Sequence, residues 1–292
     1  MRAMLHSLRV ARSCLPLVAA WMLLGPAVAA AQGNASTVAS PATPGAALAA
    51  PLDPEAREAF LATARIIAEK PAPKGTTNTK RVTLSNGAMT HDASVQTIEV
   101  AKPVFETPRG TELNFKDDWR FNVAAYRMDR LLGLNMVPVT VERRYRSKPG
   151  SFTWWVDDVL MDEHERYRTK KQAPDTLDWN QQMWTTRLFD QLIANVDRNL
   201  GNLIVDRSYN IWMIDHSRSF RLNETLRSPE SLARVDRGVL ARLRRIDKPG
   251  LRSAVGKYLS DAEIDAVLKR RDQIVAFFDK GGPLTLFDRR PR

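Results

Sequence analysis

Several things are scarce in this chain, and each shortage narrows its class. Among 292 residues there is one cysteine, Cys14. It precedes an apolar run, on the wrong side for a lipid-anchor cysteine. Once the leader described below is removed, no cysteine is left to form a disulfide. An oxidising compartment permits disulfides without requiring them, and a core of this size can be stable without one. No internal repeat occurs at solenoid periods. The apolar run Leu15 to Gly25 is short for a bilayer span. His91 and His164 lack the spacing of metal ligands. The basic clusters Arg242, Arg244, Arg245 and Lys269-Arg270-Arg271 come with no nucleic-acid recognition motif. They read as a solvated or membrane-facing helix surface, and no nucleic-acid partner is expected.

What is present begins with the order of a secretory leader. Arg2, Arg9 and Arg12 precede the apolar run, and Pro26 and a series of alanines to Ala31 follow it. Residues 1–31 are therefore expected to be a signal peptide, with the protein exported to the periplasm or the exterior. Removing three arginines takes the net charge from +11 to +8. That excess suits acidic partners such as a nucleotide, phospholipid headgroups or an anionic membrane surface, or simply a solvated basic exterior. Residues 32–52, rich in Ala, Pro, Ser, Thr and Gly, read as a flexible linker.

The remainder changes character along its length. Pro54 to Glu69 has helical spacing, ended by Pro71 and Pro73. Strand patterns follow at Arg81 to Leu84 and Ser94 to Phe105, the first running into an Asn86-Gly87 hairpin turn. Lys116 to Leu132 places Phe121, Ala124, Ala125, Met128 and Leu132 on one helical face, stopped by Gly133. Val137 to Arg144 and Ser151 to Met161 form a hairpin about Lys148-Pro149-Gly150. Asp178 to Val196 is a second strong helix, and Leu203 to Val205 and Ile211 to Ile214 are short strands. Helices occupy the C-terminal end, one opened by the capping box Ser260-Asp261-Ala262-Glu263 and closed by Gly281-Gly282. Strands with one helix first, then helices around one hairpin, predict an α+β protein with a sheet-rich N-lobe, 53–158, and a helical C-lobe, 159–292. The tryptophans Trp154, Trp155, Trp179, Trp184 and Trp212 fall in these elements and read as core.

The chemistry is concentrated in Asn195-Val196-Asp197-Arg198-Asn199-Leu200-Gly201-Asn202, followed by Ile214-Asp215-His216. Asp197 and Asn202 lie five apart after a helix, and Asp215 comes thirteen residues later at the end of a hairpin strand. Asp197 and Asn202 alone could serve as turn-shaping residues. With Asp215 beside them they supply oxygen ligands for a hard cation and a carboxylate to orient a hydroxyl, as phosphoryl transfer requires. His216 could ligate or exchange protons, though such a residue is more often packed in its loop.

This D-x4-N…I-D arrangement resembles the protein kinase-like superfamily, and its form DRNLGN…IDH is closest to phosphatidylinositol 3- and 4-kinases, HipA-type kinases and secreted Fam20-type kinases. Ala124 to Leu134 with Val137-Pro138 resembles the N-lobe helix and the strand after it. The resemblance implies a two-lobed protein kinase-like fold and a kinase using Mg²⁺ or Mn²⁺ with ATP or another nucleoside triphosphate, acting on a protein or lipid hydroxyl. Asp197 would be the catalytic base, and Asn202 and Asp215 the metal ligands. Lys102 would meet the donor phosphates, with Gly75 and Thr76 in the loop over them and Val159 to Asp162 as the interlobe hinge. Asn122 stands where the family has a glutamate partner for the lysine, with Asp118 one turn earlier as a substitute. His216-Ser217 replaces the usual residues after the metal aspartate. These departures keep two alternatives open: a pseudokinase that binds without turnover, and a nucleotidyl transferase.

The leader yields the first test. Mass spectrometry of the native protein is expected to give an N-terminus between Ala30 and Gly33, and an intact Met1 in a cytoplasmic fraction would refute the export reading.

Overall fold

A computed structural model describes residues 53–71, 79–107 and 110–290. The expected leader, the expected linker and the loop residues Gly75 and Thr76 lie outside the described residues. The N-terminal half comprises helix α1 (Pro54–Thr63), strands β1 (Arg65–Pro71), β2 (Lys80–Ser85), β3 (Thr90–Gln96), β4 (Glu99–Thr107) and β5 (Gly110–Asp118), helix α2 (Arg120–Leu132), and strands β6 (Thr140–Tyr145) and β7 (Lys148–Trp154). The C-terminal half follows as β8 (Val159–Asp162), α3 (Glu163–Thr169), α4 (Thr176–Leu192), β9 (Leu203–Asp206), β10 (Ile211–Met213), β11 (Val235–Asp236), α5 (Arg237–Arg245), α6 (Lys248–Val255), α7 (Asp261–Gly281) and β12 (Leu286–Phe287). This is the expected α+β order: an antiparallel, sheet-rich first half and a helical second half. Among the described residues, no helix is long and apolar enough to cross a membrane.

Local chemistry explains where the elements start and stop, and where they depart from the sequence pattern. Asp53 caps α1 by accepting from the Ala56 N–H at 2.7 Å, with Pro54 in its first turn. The helix stops at Thr63 rather than Glu69, because Arg65–Pro71 pairs antiparallel with β2. The adjacent β-branched Ile66 and Ile67 favour that pairing over another helical turn. The Asn86-Gly87 hairpin forms as expected: Asn86 Oδ1 accepts from the amides of Ala88 and Met89, and Gly87 takes φ 89°. The other hairpin turns at Arg146-Ser147, with Arg146 at φ 55°, and Pro149 and Gly150 are already in strand β7. Gly150 is required there, since a Cβ would come within 2.6 Å of the Gln96 carbonyl.

The most consequential departure is the segment 94–105. It is two strands broken at Thr97-Ile98, and they belong to different sheets. The main N-terminal sheet has the order β1-β2-β3-β7-β6, while among the described residues β4 pairs only with β5. Lys116 to Asp118, expected to open the helix, are the end of β5. Asp118 Oδ1 accepts from the Arg120 N–H at 2.9 Å and so starts α2 at Arg120. Gly133 ends α2 in the left-handed region, as expected. Asp129 Oδ1 then accepts from the amides of Met136 and Val137 and holds the chain leaving the helix.

Helix α1 covers one face of the main sheet, with Phe60 edge-on to Trp154 at 5.8 Å. Leu61, Val82, Leu84, Ala93, Val95 and Phe152 are buried in the same continuous core. The second half is built on the sheet β10-β9-β8 and the helices around it. Val159 to Asp162, expected as the hinge, is a strand paired to β9, so the link from β7 to β8 is residues 155–158. The capping box at Ser260 forms on α7. Arg270 of that helix is fully buried, and its guanidinium donates to the carbonyls of Leu192, Arg221 and Asn223. Burial pushes its pKa down to about 10. One side chain thus ties the end of α4 to the segment after Asp215, the two pieces that carry the candidate site.

Candidate functional site

Asn202 and Asp215 are brought together by strand pairing. Leu203 faces Met213 across β9 and β10, and the ladder extends one step further where the Ile214 N–H donates to the Asn202 carbonyl at 3.0 Å. Asp215 is the next residue and takes φ 55°, a left-handed conformation uncommon for a residue with a side chain. Asp197 lies on the loop leaving α4 with about half its side chain exposed, and the Asn202 side-chain amide is 3.5 Å from its carbonyl.

The loop is braced by Arg198. Its guanidinium forks onto Asp190 of α4, with Nε 3.0 Å from Oδ2 and one terminal nitrogen 3.0 Å from Oδ1. The other terminal nitrogen donates to the carbonyls of Ile214 at 2.8 Å and Asn202 at 3.2 Å. The first also donates to His216 Nε2 at 2.9 Å. Arginine has no acceptor, so His216 must accept at Nε2 and is neutral there. Burial, and secondarily the Arg198 charge, depress its pKa well below the ordinary value. His216 is thus the packed loop residue that its position suggested.

Above this loop the sheet contributes Gln96. Its Nε2 donates to Asp215 Oδ1 at 3.3 Å and to Thr79 Oγ1 at 3.1 Å, and its Oε1 accepts from Asn122 Nδ2 at 2.6 Å. Asn122, on α2, also accepts from the His216 backbone amide at 2.8 Å. A neutral amide pair therefore stands between strand and helix, with Gln96 where Lys102 was expected to face the Asn122 position. Lys102 is elsewhere. It is exposed on β4, with Nζ 4.8 Å from the centre of the Phe105 ring, because the break after Gln96 moves β4 into the separate hairpin. Asp118, the alternative partner, is held by Arg120.

Two further residues complete the cluster. Asp117, at the end of β5, is 6% exposed. Burial is the main reason its pKa is raised, and the charges of Asp215 and Asp197 add to the rise against a Ser217 hydrogen bond and Arg218. Its Oδ1 is buried with no hydrogen-bond partner. Arg218 reaches Asp197 Oδ2 at 3.5 Å and Glu112 Oε2 at 3.1 Å. Gln96, Asp117 and Arg218 were missed in the sequence. Only Asp117 left a trace there, as half of an acidic pair just before a helix.

No protein-family model matches the chain, and neither does any curated protein. Solved structures do. Hydra Fam20 with sugar aligns with a TM-score of 0.59 at 17% identity, over 79% of this chain and 91% of that one. The Golgi casein kinase gives 0.58 at 14% identity, over 82% and 79%. Its structure with Mn/ADP bound gives 0.57 at 14%, over 82% and 80%. The protein has the protein kinase-like fold. Identity this low carries the fold alone.

Those residues have a structural demand that can be measured. Asp190 and Arg198 are each 12% exposed, and removing one leaves the other a buried, under-compensated charge. Arg198→Gln is expected to cost about 3 kcal/mol in urea unfolding and to speed amide exchange at Ile214. A loss below about 1 kcal/mol with unchanged exchange would show that the brace is dispensable.

Proposed function

We propose that the protein is a nucleotide- and divalent-metal-dependent phosphotransferase acting on a protein or lipid hydroxyl after export. The observation that carries this reading is the closure of Asn202 on Ile214, which brings the backbone of Asn202 next to that of Asp215 while Asp197 stands exposed on the same loop. Among the described residues, no group of three or more His, Cys, Asp or Glu could hold a metal by itself. Mg²⁺ and Mn²⁺ fit without one, since such ions bind through one or two carboxylates and complete their shell with water and substrate phosphates. The unpartnered Oδ1 of Asp117, desolvated beside Asp215, is a further donor that a cation would relieve. Asn202 and Asp215 would hold the ion, which would neutralise charge on the donor phosphates. The fold likeness to a kinase solved with Mn/ADP supports the same class of ligand.

In this reading Asp197 orients the acceptor hydroxyl and takes its proton. Its exposure suits an acceptor arriving from solvent. The Gln96–Asn122 pair holds the strand to α2, and through the His216 amide it fixes the loop after Asp215. A cation in that place would meet the donor phosphates directly, and Gln96 has no charge to offer. This favours a second reading, a kinase-fold protein that binds nucleotide without turnover.

Labelled phosphate and labelled adenine, followed separately with purified protein, decide between transfer of phosphate, transfer of the nucleotide, and no transfer. Asp197→Asn keeps shape and loses basicity. It is expected to lower phosphate transfer by roughly 10²- to 10⁴-fold with donor affinity nearly unchanged, and equal rates in the two proteins would remove Asp197 from the mechanism. If the second reading holds, neither label moves in wild type. Then Gln96→Lys combined with Asn122→Glu, which rebuilds the ion pair in place, is expected to raise nucleotide affinity by about tenfold. An unchanged affinity in the folded double variant would show that the neutral pair is not what limits binding.

A further inference from the structure

The cluster described above is rich in carboxylates and short of cations. The charges of Asp197 and Asp215 both act on Asp117, and the neighbour of Asp215 on the sheet is the neutral Gln96. Among the described residues, the one ion pair made by any of these three carboxylates is from Asp197 to Arg218. A phosphoryl group in transfer carries its charge on three equatorial oxygens, and fixed cations aimed at them are the main source of rate. The expected lysine does not reach this position.

We propose that Arg218 is the cation that contacts the terminal phosphate of the donor, and that its ion pair with Asp197 is the arrangement in the absence of nucleotide. The proposal rests on the phosphotransferase reading of the site. Three observations lead to it. Arg218 is three residues beyond Asp215, yet its guanidinium reaches the Asp197 carboxylate on the acceptor side, so it spans the gap the transferred group would cross. The side chain is held from behind: one terminal nitrogen is on Glu112, and the plane lies over the Phe115 ring at 5.1 Å. Its donors are not all committed, since Nε is buried with no partner and the side chain is 25% exposed. Arg221 shares Glu112 and Phe115, and its Nε is likewise buried without a partner, but it differs in exposure and in what it holds. It is 10% exposed and donates to the Lys116 carbonyl at 2.7 Å, which makes it a strut of the β4–β5 hairpin.

The chemistry balances without any covalent part for Arg218. The acceptor oxygen bonds to the terminal phosphorus as the bond from that phosphorus to the bridging oxygen breaks. The bonding pair leaves with the nucleoside diphosphate, and the hydroxyl proton passes to Asp197. Arg218 moves the terminal nitrogen that faces Asp197 to an equatorial oxygen and keeps the other on Glu112. That exchange also frees the Asp197 carboxylate to accept the proton, so one side chain couples donor arrival to activation of the base.

Calorimetry with Mn²⁺ tests this without requiring turnover, using ADP and a non-hydrolysable triphosphate analogue on wild type, Arg218→Gln, Arg218→Lys and Glu112→Gln. Wild type is expected to prefer the triphosphate by about tenfold, the scale of one charge-assisted contact. Arg218→Gln should lose that preference while keeping its ADP affinity, and Arg218→Lys should retain part of it. Glu112→Gln, which removes the anchor and keeps the cation, should retain most of it. Thermal melting establishes that each variant is folded. If Arg218→Gln is not, Arg218→Lys decides, and an undiminished preference there overturns the proposal. So does a preference that survives in folded Arg218→Gln, or one lost equally in Glu112→Gln, which would make Arg218 only a strut. A wild type that binds both nucleotides equally overturns the role of Arg218 and leaves the phosphotransferase reading standing. A wild type that binds neither overturns both.

Discussion

The candidate site depends on the guanidinium of Arg198. Its fork onto Asp190 ties the loop to the end of α4, and its remaining donors reach the carbonyls of Asn202 and Ile214 and the imidazole of His216. Both carbonyls belong to the residues that bring Asn202 and Asp215 together. A lysine would supply the charge but not the planar fork that meets four partners at once. The cost of burying this ion pair is offset because almost every donor of the guanidinium has an acceptor, the condition under which buried charges are tolerated. A neutral His216 is part of the same balance, since an imidazolium against a guanidinium would add a second buried cation. A rigid loop with one exposed carboxylate is the result: Asp197 projects from a segment whose backbone is held at both ends.

The upper half of the site is governed by the opposite choice. Where the lower half uses charge, the contact between sheet and α2 is made of amides. Gln96 and Asn122 use all four of their side-chain polar atoms on each other, on Asp215 and on the His216 backbone. Strand alternation puts Ser94 and Asp92 on the same sheet face as Gln96, and Arg81 and Thr83 bond Asp92 beside them. That face is polar, while the opposite one, carrying Val82, Leu84, Ala93 and Val95, is sealed by α1. The polar face cannot serve as an apolar lid for a base. A ligand beneath it would meet hydrogen-bonding groups, and such contacts discriminate strongly against a ligand that leaves them unpaired.

How much of this was legible follows from how local each feature is. Asp197, Asn202 and Asp215 lie within one helix–loop–hairpin unit, and a two-stranded hairpin constrains its own ends. Their spacing was therefore enough to read their proximity. Gln96 was not legible, because its role depends on a strand break. Residues 94–105 alternate well enough for one strand, and nothing local at Thr97-Ile98 marks where the chain leaves the main sheet. The break is imposed from outside: the Trp119 amide bonds the Ile98 carbonyl, and Gly150 packs against the Gln96 carbonyl. Both partners are far along the chain. Lys102 was assigned to the site by resemblance, as the lysine of the strand before the helix, and the break puts it on β4 instead. The error at Pro54 to Glu69 has the same form, since only pairing with β2 decides that Arg65 begins a strand.

The break also accounts for Asp117. Had the segment stayed in the main sheet, β5 would have had no partner to bring its end back to the site. Because β4 leaves, the hairpin can return, and it is fastened on arrival. The Asp118 amide bonds the Ser217 carbonyl, Lys116 pairs with the nearly buried Glu263, and Glu112 receives both Arg218 and Arg221. Asp118 and Lys116 hold the base of the hairpin and Glu112 holds it near the tip, while Val104 and Leu113 between them are 52% and 68% exposed. Asp117 is thus delivered by a firmly held stem into a position where burial and like charge oppose its ionisation. A buried carboxylate held in so unfavourable a place has to be compensated by a proton or by a cation. Arg218 is the fixed cation nearby, but its ion pair is with Asp197 and leaves Asp117 Oδ1 unsatisfied. The same strand break that kept a lysine out of the site has therefore put into it a carboxylate that calls for a proton or a cation.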